Sequence, residues 1–328
     1  MQPTQVTKTP TETPSWLRAF TKFVAFSTLF LIFAGAMVTS TGTGLSVPDW
    51  PLSYGMLMPP MVGGIFYEHG HRMIAATVGF LVVIQAIWLQ RREPKRFVRL
   101  LGWWSLGAVI LQGLLGGLTV KLLLPESVSI SHAALAEIFF CLNVSIAFFT
   151  SRWFHRHRDA GISEVPVRLA TALAVAAYVQ IMLGALMRHL HAGLAIPDFP
   201  LSFGKLIPEI TSLPIAANFA HRAGAVVVTA LIIAFAIKAP RLLRPIAFAL
   251  VAVVFVQIYL GARVVWDASQ NLRLYHSMVG EDAVRYATVT SFHVMTGAFT
   301  LALSVLAALS SRTVAERQMH LSGDEVPA

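Results

Sequence analysis

One cysteine, Cys141, stands in the whole 328-residue chain, inside an apolar stretch. That excludes an intramolecular disulfide and any metal site built on several thiolates. It leaves Cys141 as a small buried hydrophobe. Charge is also scarce: Asp, Glu, Lys and Arg make up 12% of the residues, where a water-soluble domain carries about 25%. A chain that is 56% hydrophobic has too little polar surface to cover itself in water, so its solvent is a bilayer. The net charge of +9 does not indicate nucleic acid, because the basic residues are scattered in short clusters instead of one patch. Residues 1–16 are polar and rich in Thr and Pro, with no apolar signal core. The sequence therefore predicts a disordered tail and no cleavable signal.

What the chain does have is long apolar runs. A spanning helix needs ~20 such residues, and runs occur at 20–39, 71–90, 100–121, 131–151, 168–187, 220–238, 245–265 and 292–310. In lipid the backbone must satisfy itself within each segment, so these are helices. The fold class is an all-α integral membrane protein of eight transmembrane helices. Arg91, Arg92, Lys95, Arg96 and Arg99 separate spans two and three; Arg152, Arg156, Arg158 and Arg168 separate four and five; Lys238, Arg241 and Arg244 separate six and seven. The positive-inside rule then puts both termini in the cytoplasm. The longer loops 40–70, 188–219 and 266–291 face the other side of a bacterial inner membrane.

The chain also repeats itself. The segment from Gly35, GAMVTSTGTGLSVPDWPLSYGMLMP, aligns without a gap on GALMRHLHAGLAIPDFPLSFGKLIP from Gly184. Gly44, Pro48, Asp49, Pro51, Leu52, Ser53, Gly55 and Pro59 all meet identical residues. Further on, His71-Arg72 meets His221-Arg222, Gln112 meets Gln257, and His132 meets His293. Each half holds four spans, so the halves are parallel repeats about an axis along the membrane normal, not an inverted pair. The divisions are a tail 1–19, a first four-helix bundle 20–151, a linker 152–167, a second bundle 168–311 and a tail 312–328. The Pro-Asp-aromatic-Pro loops suit ordered turns, and Trp50, Tyr54, Phe199 and Phe203 suit an interfacial belt. Asp49 and Asp198 have no evident partner in the sequence.

Eleven histidines are present. His155, His157 and His320 fall in basic or terminal segments, and His276 in an outer loop. His69, His189 and His191 lie at the outer boundary without repeat equivalents. His71, His132, His221 and His293 differ, because each opens an even-numbered span running inward. They lie at one depth, two per half. Histidines on facing bundle helices ligate a heme iron from both sides, and ionisable groups in lipid default to function. Zinc would need further ligands, and only Glu68 is near, in one half. Arg72 and Arg222 suit heme propionates, or else snorkelling to the interface. Glu68 stands one turn before His71, where the second half has Asn218. A carboxylate there can relay a proton or cap the helix start; Asn218 is expected to carry no chemistry.

The eight spans, Glu68-x-x-His71-Arg72, His132, His221-Arg222, His293 and the two Pro-Asp-aromatic-Pro loops together resemble the heme A synthase family over about 20–311. The resemblance implies oxidation of the C8 methyl of heme O to a formyl group through two hydroxylations and loss of water. It implies a heme b cofactor held by His221 and His293, a substrate heme between His71 and His132, and an essential Glu68. It also implies cytochrome oxidase assembly as the setting and hand-over from a heme O synthase; the electron donor stays unknown. Some bacterial members carry a cysteine pair in the first outer loop; this chain has none. A different reading of the same histidines is a bis-histidine diheme cytochrome for quinol-linked electron transfer, which would not need Glu68 on one side only.

Overall fold

The computed structural model describes residues 12–157, 163–270 and 281–321. Nine α-helices are found among them: α1 (Ser15–Ser40), α2 (Gly63–Arg92), α3 (Arg96–Lys121), α4 (Glu126–Phe149), the short α5 (Arg152–Arg156), α6 (Glu164–His189), α7 (Leu213–Lys238), α8 (Arg244–Gln270) and α9 (Glu281–Leu321). All except α5 are long and apolar enough to cross a membrane. The only β features among the described residues are two isolated bridges.

Local chemistry sets several boundaries. Pro94 follows the last residues of α2 and forces the chain extended at Glu93. Ser212 caps α7 by accepting the Ile215 N–H, with Pro214 in the first turn. The outer ends differ from the hydropathy reading. α2 begins at 63 instead of 71, α4 at 126 instead of 131, α7 at 213 instead of 220 and α9 at 281 instead of 292. The added turns carry Glu68, His69 and Asn218, polar residues that end an apolar count but leave the helix intact because loop groups pair with them. Within the outer segment 266–291, the described residues are helical, with α8 reaching Gln270 and α9 starting at Glu281. His276 lies outside the described residues. Ser15–Ala19 belongs to α1, not to a disordered tail, and the 152–167 linker contains α5 and the start of α6.

Helices α1 to α4 pack each on the next, and α1 on α4 closes the ring; α6 to α9 do the same, with α6 on α9. The first ring is filled by Val24, Val78, Val82 and Phe139, the second by Leu173, Ile232, Phe235 and Leu250. The rings meet through α1, α4, α6 and α9, with Ala25, Phe140, Val144, Ala298 and Ala302 between them. The outward faces are apolar: Phe26, Trp104, Phe248 and Phe255 are each 68–70% exposed. In water such a surface would drive aggregation; in hydrocarbon it is the natural exterior.

Candidate functional site

In each half, the loop that precedes the second helix (41–62 and 190–212) folds back onto that helix in the same way. Ser53 and Met56 exchange backbone hydrogen bonds across a two-residue turn, as do Ser202 and Lys205. Tyr54 and Gly55 lie at φ 56° and 70°, Phe203 and Gly204 at 53° and 73°, the geometry of a type I′ turn. The aspartates find their partners here. Asp49 accepts the N–H groups of Tyr54 (2.6 Å) and Gly55 (2.8 Å), and Asp198 those of Phe203 (2.7 Å) and Gly204 (2.8 Å). Those donors, Gly55 and Gly204 foremost, hold both carboxyls below their ordinary value.

The arginines clamp the loops. Arg72 donates to the carbonyl oxygens of Asp49 (2.7 Å), Leu52 (3.0 Å) and Val47 (3.2 Å); Arg222 donates to those of Asp198 (2.7 Å), Leu201 (3.0 Å) and Ile196 (2.8 Å). Glu68, buried in α2, accepts the Val47 N–H at 2.8 Å and pairs with Arg72 at 2.6 Å. The α2 N-cap is Val62, so Glu68 lies beyond the first turn and does not cap the helix. Asn218 takes the equivalent place and donates to the carbonyls of Ala192 (2.7 Å) and Gly193 (3.1 Å). His69, which has no repeat equivalent, is buried with Nδ1 2.8 Å from Ser53 Oγ and so ties α2 to the loop turn.

The four histidines share one construction. Each is half-buried and lies on a glycine of the preceding spanning helix. A Cβ added to Gly35 would come within 3.0 Å of the His71 ring; on Gly116, within 3.3 Å of His132; on Gly184, within 3.0 Å of His221; on Gly261, within 3.1 Å of His293. These glycines let the rings slide in against helix backbone.

Three glutamines complete the setting. The Gln112 amide nitrogen lies 3.2 Å from His132 Nε2 and donates to the His132 carbonyl at 3.0 Å. The Gln180 amide nitrogen lies 3.1 Å from His221 Nδ1 and donates to the His221 carbonyl at 2.7 Å. That of Gln257 lies 3.5 Å from His293 Nε2, while His293 Nδ1 reaches the Gln257 carbonyl at 3.2 Å. Each glutamine stands four residues before one of the histidine-bearing glycines, a spacing that was readable in the sequence.

His221 and His293 lie edge to face, with ring centroids 6.3 Å apart and ring planes at 74°. His71 and His132 stand on α2 and α4 of the first ring, each against a glycine of the preceding helix. Metal–imidazole bonds are about 2 Å long, so two imidazoles on opposite sides of one metal stand roughly 6 Å apart, centre to centre. The His221–His293 separation fits that span. Among the described residues no three His, Cys, Asp or Glu side chains gather to hold a bare metal ion. Two histidines alone suit an iron whose remaining ligands come with it, as in a porphyrin.

Comparison with known proteins agrees. The chain matches the cytochrome oxidase assembly protein family (COX15-CtaA) over residues 18–284, a stretch that contains Glu68, His71, His132 and His221 and ends before His293. It is 34% identical over 213 residues to a heme A synthase of Symbiobacterium thermophilum, covering 62% of this chain and 69% of that one. It is 29% identical over 266 residues to a heme A synthase of Shouchella clausii, covering 76% and 88%, and 28% identical over 306 residues to one of Brucella ovis, covering 77% and 85%.

Proposed function

This chain belongs to the cytochrome oxidase assembly protein family, and from that premise we propose that it is a membrane-bound heme A synthase, an oxidoreductase that converts heme O to heme A. The relatives that carry the synthase name supply the substrate, and the histidine pair at 6.3 Å carries the reading to this chain. The electron-transfer alternative draws no support from those relatives.

The finer assignment rests on the two halves. His221 and His293 hold the retained cofactor, a heme b, whose iron supplies redox chemistry when bound. His71 and His132 receive the substrate heme. Glu68, buried and paired with Arg72 at the same end of α2, holds or passes a proton beside that site, which an amide cannot do. Arg72 and Arg222 bring positive charge to the rim of each site, where propionates would lie, while their Nη atoms keep the loops closed. Both termini lie in the cytoplasm of a bacterium and the heme sites toward the outer leaflet, as the Lys and Arg distribution directs. A heme O synthase is the partner that would deliver the substrate.

The test is reconstitution of the purified chain in lipid with heme O and a reductant, following heme A by chromatography. Accumulation of heme A supports the assignment. Reversible reduction of bound heme with no change in heme O would move the protein to the electron-transfer class.

A further inference from the structure

Glu137 is a carboxyl inside a spanning helix that the site described so far does not use. It lies on α4, five residues and so roughly 7.5 Å of helix rise beyond His132. Its side chain is buried, and its Oε2 has no hydrogen-bond partner. Glu137, Phe140, Cys141 and Val144 form an i, i+3, i+4, i+7 stripe. Phe140 and Val144 belong to the cluster between the two rings, so Glu137 faces that seam.

The repeat lets the two sides of the seam be compared. On one side α1 meets α9, and on the other α6 meets α4. In the first contact Leu29, Ala298 and Ala302 are all apolar. Their equivalents in the second are Tyr178, Glu137 and Cys141. The Tyr178 hydroxyl reaches the Ala134 carbonyl at 3.4 Å, one turn from Glu137 on the same face of α4. One packing problem is thus solved with apolar side chains alone and, across the axis, with a phenol, a carboxyl and a thiol. Packing does not require Glu137.

No protein cation balances it. Helix α4 and the helices packed on it, α1, α3, α6 and α9, carry no Lys or Arg over residues 126–149, 23–40, 100–120, 169–187 and 286–311. Facing Glu137 across the seam are Tyr178 from α6 and the apolar Ala25, Leu29, Ala298 and Ala302 from α1 and α9. Cys141 follows one turn on in its own helix. An unpaired carboxylate in such surroundings is costly, and acids within a membrane mark function by default. Positive charge comes instead with the two sites that flank it. His132 stands on its own helix, and Gln180, which meets His221, stands two residues past Tyr178. Ferric iron in a porphyrin dianion with two neutral imidazoles keeps a net positive charge, and the ferrous form is neutral. A carboxylate in a low-dielectric seam is attracted to the first and not to the second.

We propose that Glu137 is a redox-linked proton site, a carboxylate that balances ferric heme and takes up a proton when an electron arrives. A one-electron reductant supplies the electron, which takes iron from ferric to ferrous. Water supplies the proton, which forms an O–H bond on the Glu137 carboxylate. Reoxidation returns both. The proposal rests on the reading that the histidine pairs hold hemes. It gives the seam a role in the reaction: charge can move between the halves without leaving an uncompensated charge in the membrane.

The experiment reads potential, not turnover. Purified full-length protein in lipid nanodiscs, loaded with hemin, is titrated electrochemically at a series of pH values. Reduction that takes up a proton is favoured by acid, so the wild-type midpoint should fall as pH rises. Complete coupling changes the reduction equilibrium tenfold per pH unit, which is about 59 mV. Glu137→Gln keeps the size of the side chain and removes its proton exchange, and should flatten that slope. Glu137→Ala, which copies Ala298 of the second half, should flatten it equally and serves where the amide is not accepted. Redox-difference infrared spectra should show a carboxylic acid C=O band rising on reduction of wild type and missing from both variants. A midpoint that follows pH identically in wild type and both variants, with the infrared band retained, overturns the proposal while the bound heme upholds the histidine pairs. Wild type that binds no heme at all overturns the reading of the histidine pairs, and the proposal with it.

Discussion

Glu68 and Asn218 occupy equivalent places in the repeat and grip equivalent loops with opposite chemistry. Glu68 accepts a backbone N–H from Val47, while Asn218 donates to the backbone carbonyls of Ala192 and Gly193. The difference that marks Glu68 for chemistry is therefore also a difference in how each loop is held. Glu68→Gln tests both roles at once. It keeps an acceptor for Val47 but removes the charge opposite Arg72. Heme A formation should fall by about 100-fold or more, with heme b content matched to wild type. Near-normal turnover at matched heme content would leave Glu68 as a loop clamp alone.

Asn218→Asp should be harmful for a reason unrelated to chemistry. The new carboxylate would face two carbonyl oxygens in a buried place. The expected cost is about 1–3 kcal/mol, seen as a lower thermal midpoint in detergent, with turnover per folded molecule unchanged. Unaltered stability would mean that the loop re-pairs its carbonyls elsewhere.

The histidines should divide by half. His221→Ala and His293→Ala should be purified without the tightly bound heme b. His71→Ala and His132→Ala should retain it and fail to make heme A. Heme-to-protein ratio and chromatography of reaction products decide this; equal heme loss in all four variants would remove the distinction between cofactor and substrate sites.

On the side of the basic loops, Glu93 is a buried latch. It accepts Thr13 Oγ1 at 2.5 Å and pairs with Lys95 Nζ at 2.9 Å, tying the segment before α1 to the α2–α3 turn. Removing one partner of a buried pair costs about 3 kcal/mol. Glu93→Ala should lower the unfolding midpoint and open residues near Thr13 to added protease, and an intact cleavage pattern would argue against the latch.

The loop turns should respond to acid. Asp49 and Asp198 have folded values below the ordinary 3.8. Their contribution is complete above 3.8 and is lost as pH falls through the depressed folded value. Loop opening, followed by proteolysis with an acid protease, should therefore rise below that range. Asp49→Asn should show faster exchange of the Tyr54 and Gly55 amides already at neutral pH; exchange equal to wild type would show that the turn holds without the carboxylate.

The sequence alone determined the solvent, the eight spans, the internal repeat and the four histidines in register. Each of these is carried by residue type and spacing along the chain: apolar runs of bilayer length, basic clusters between them, and identical residues at matching positions. Spacing also pointed to Glu68 as the break in the repeat. Only the tertiary structure decided what those residues touch. The loop aspartates hold turn N–H groups, the arginines hold loop carbonyls, and glycines four positions beyond glutamines lie under the imidazoles. These are contacts between separate helices, and between a loop and the helix that follows it. Their partners depend on how helices rotate and how loops fold back, which a one-dimensional apolar count does not encode. The same reason explains the helix starts. Polar residues at the outer ends of α2 and α7 look like loop to a hydropathy count, and they become helix only because a folded loop meets their hydrogen bonds.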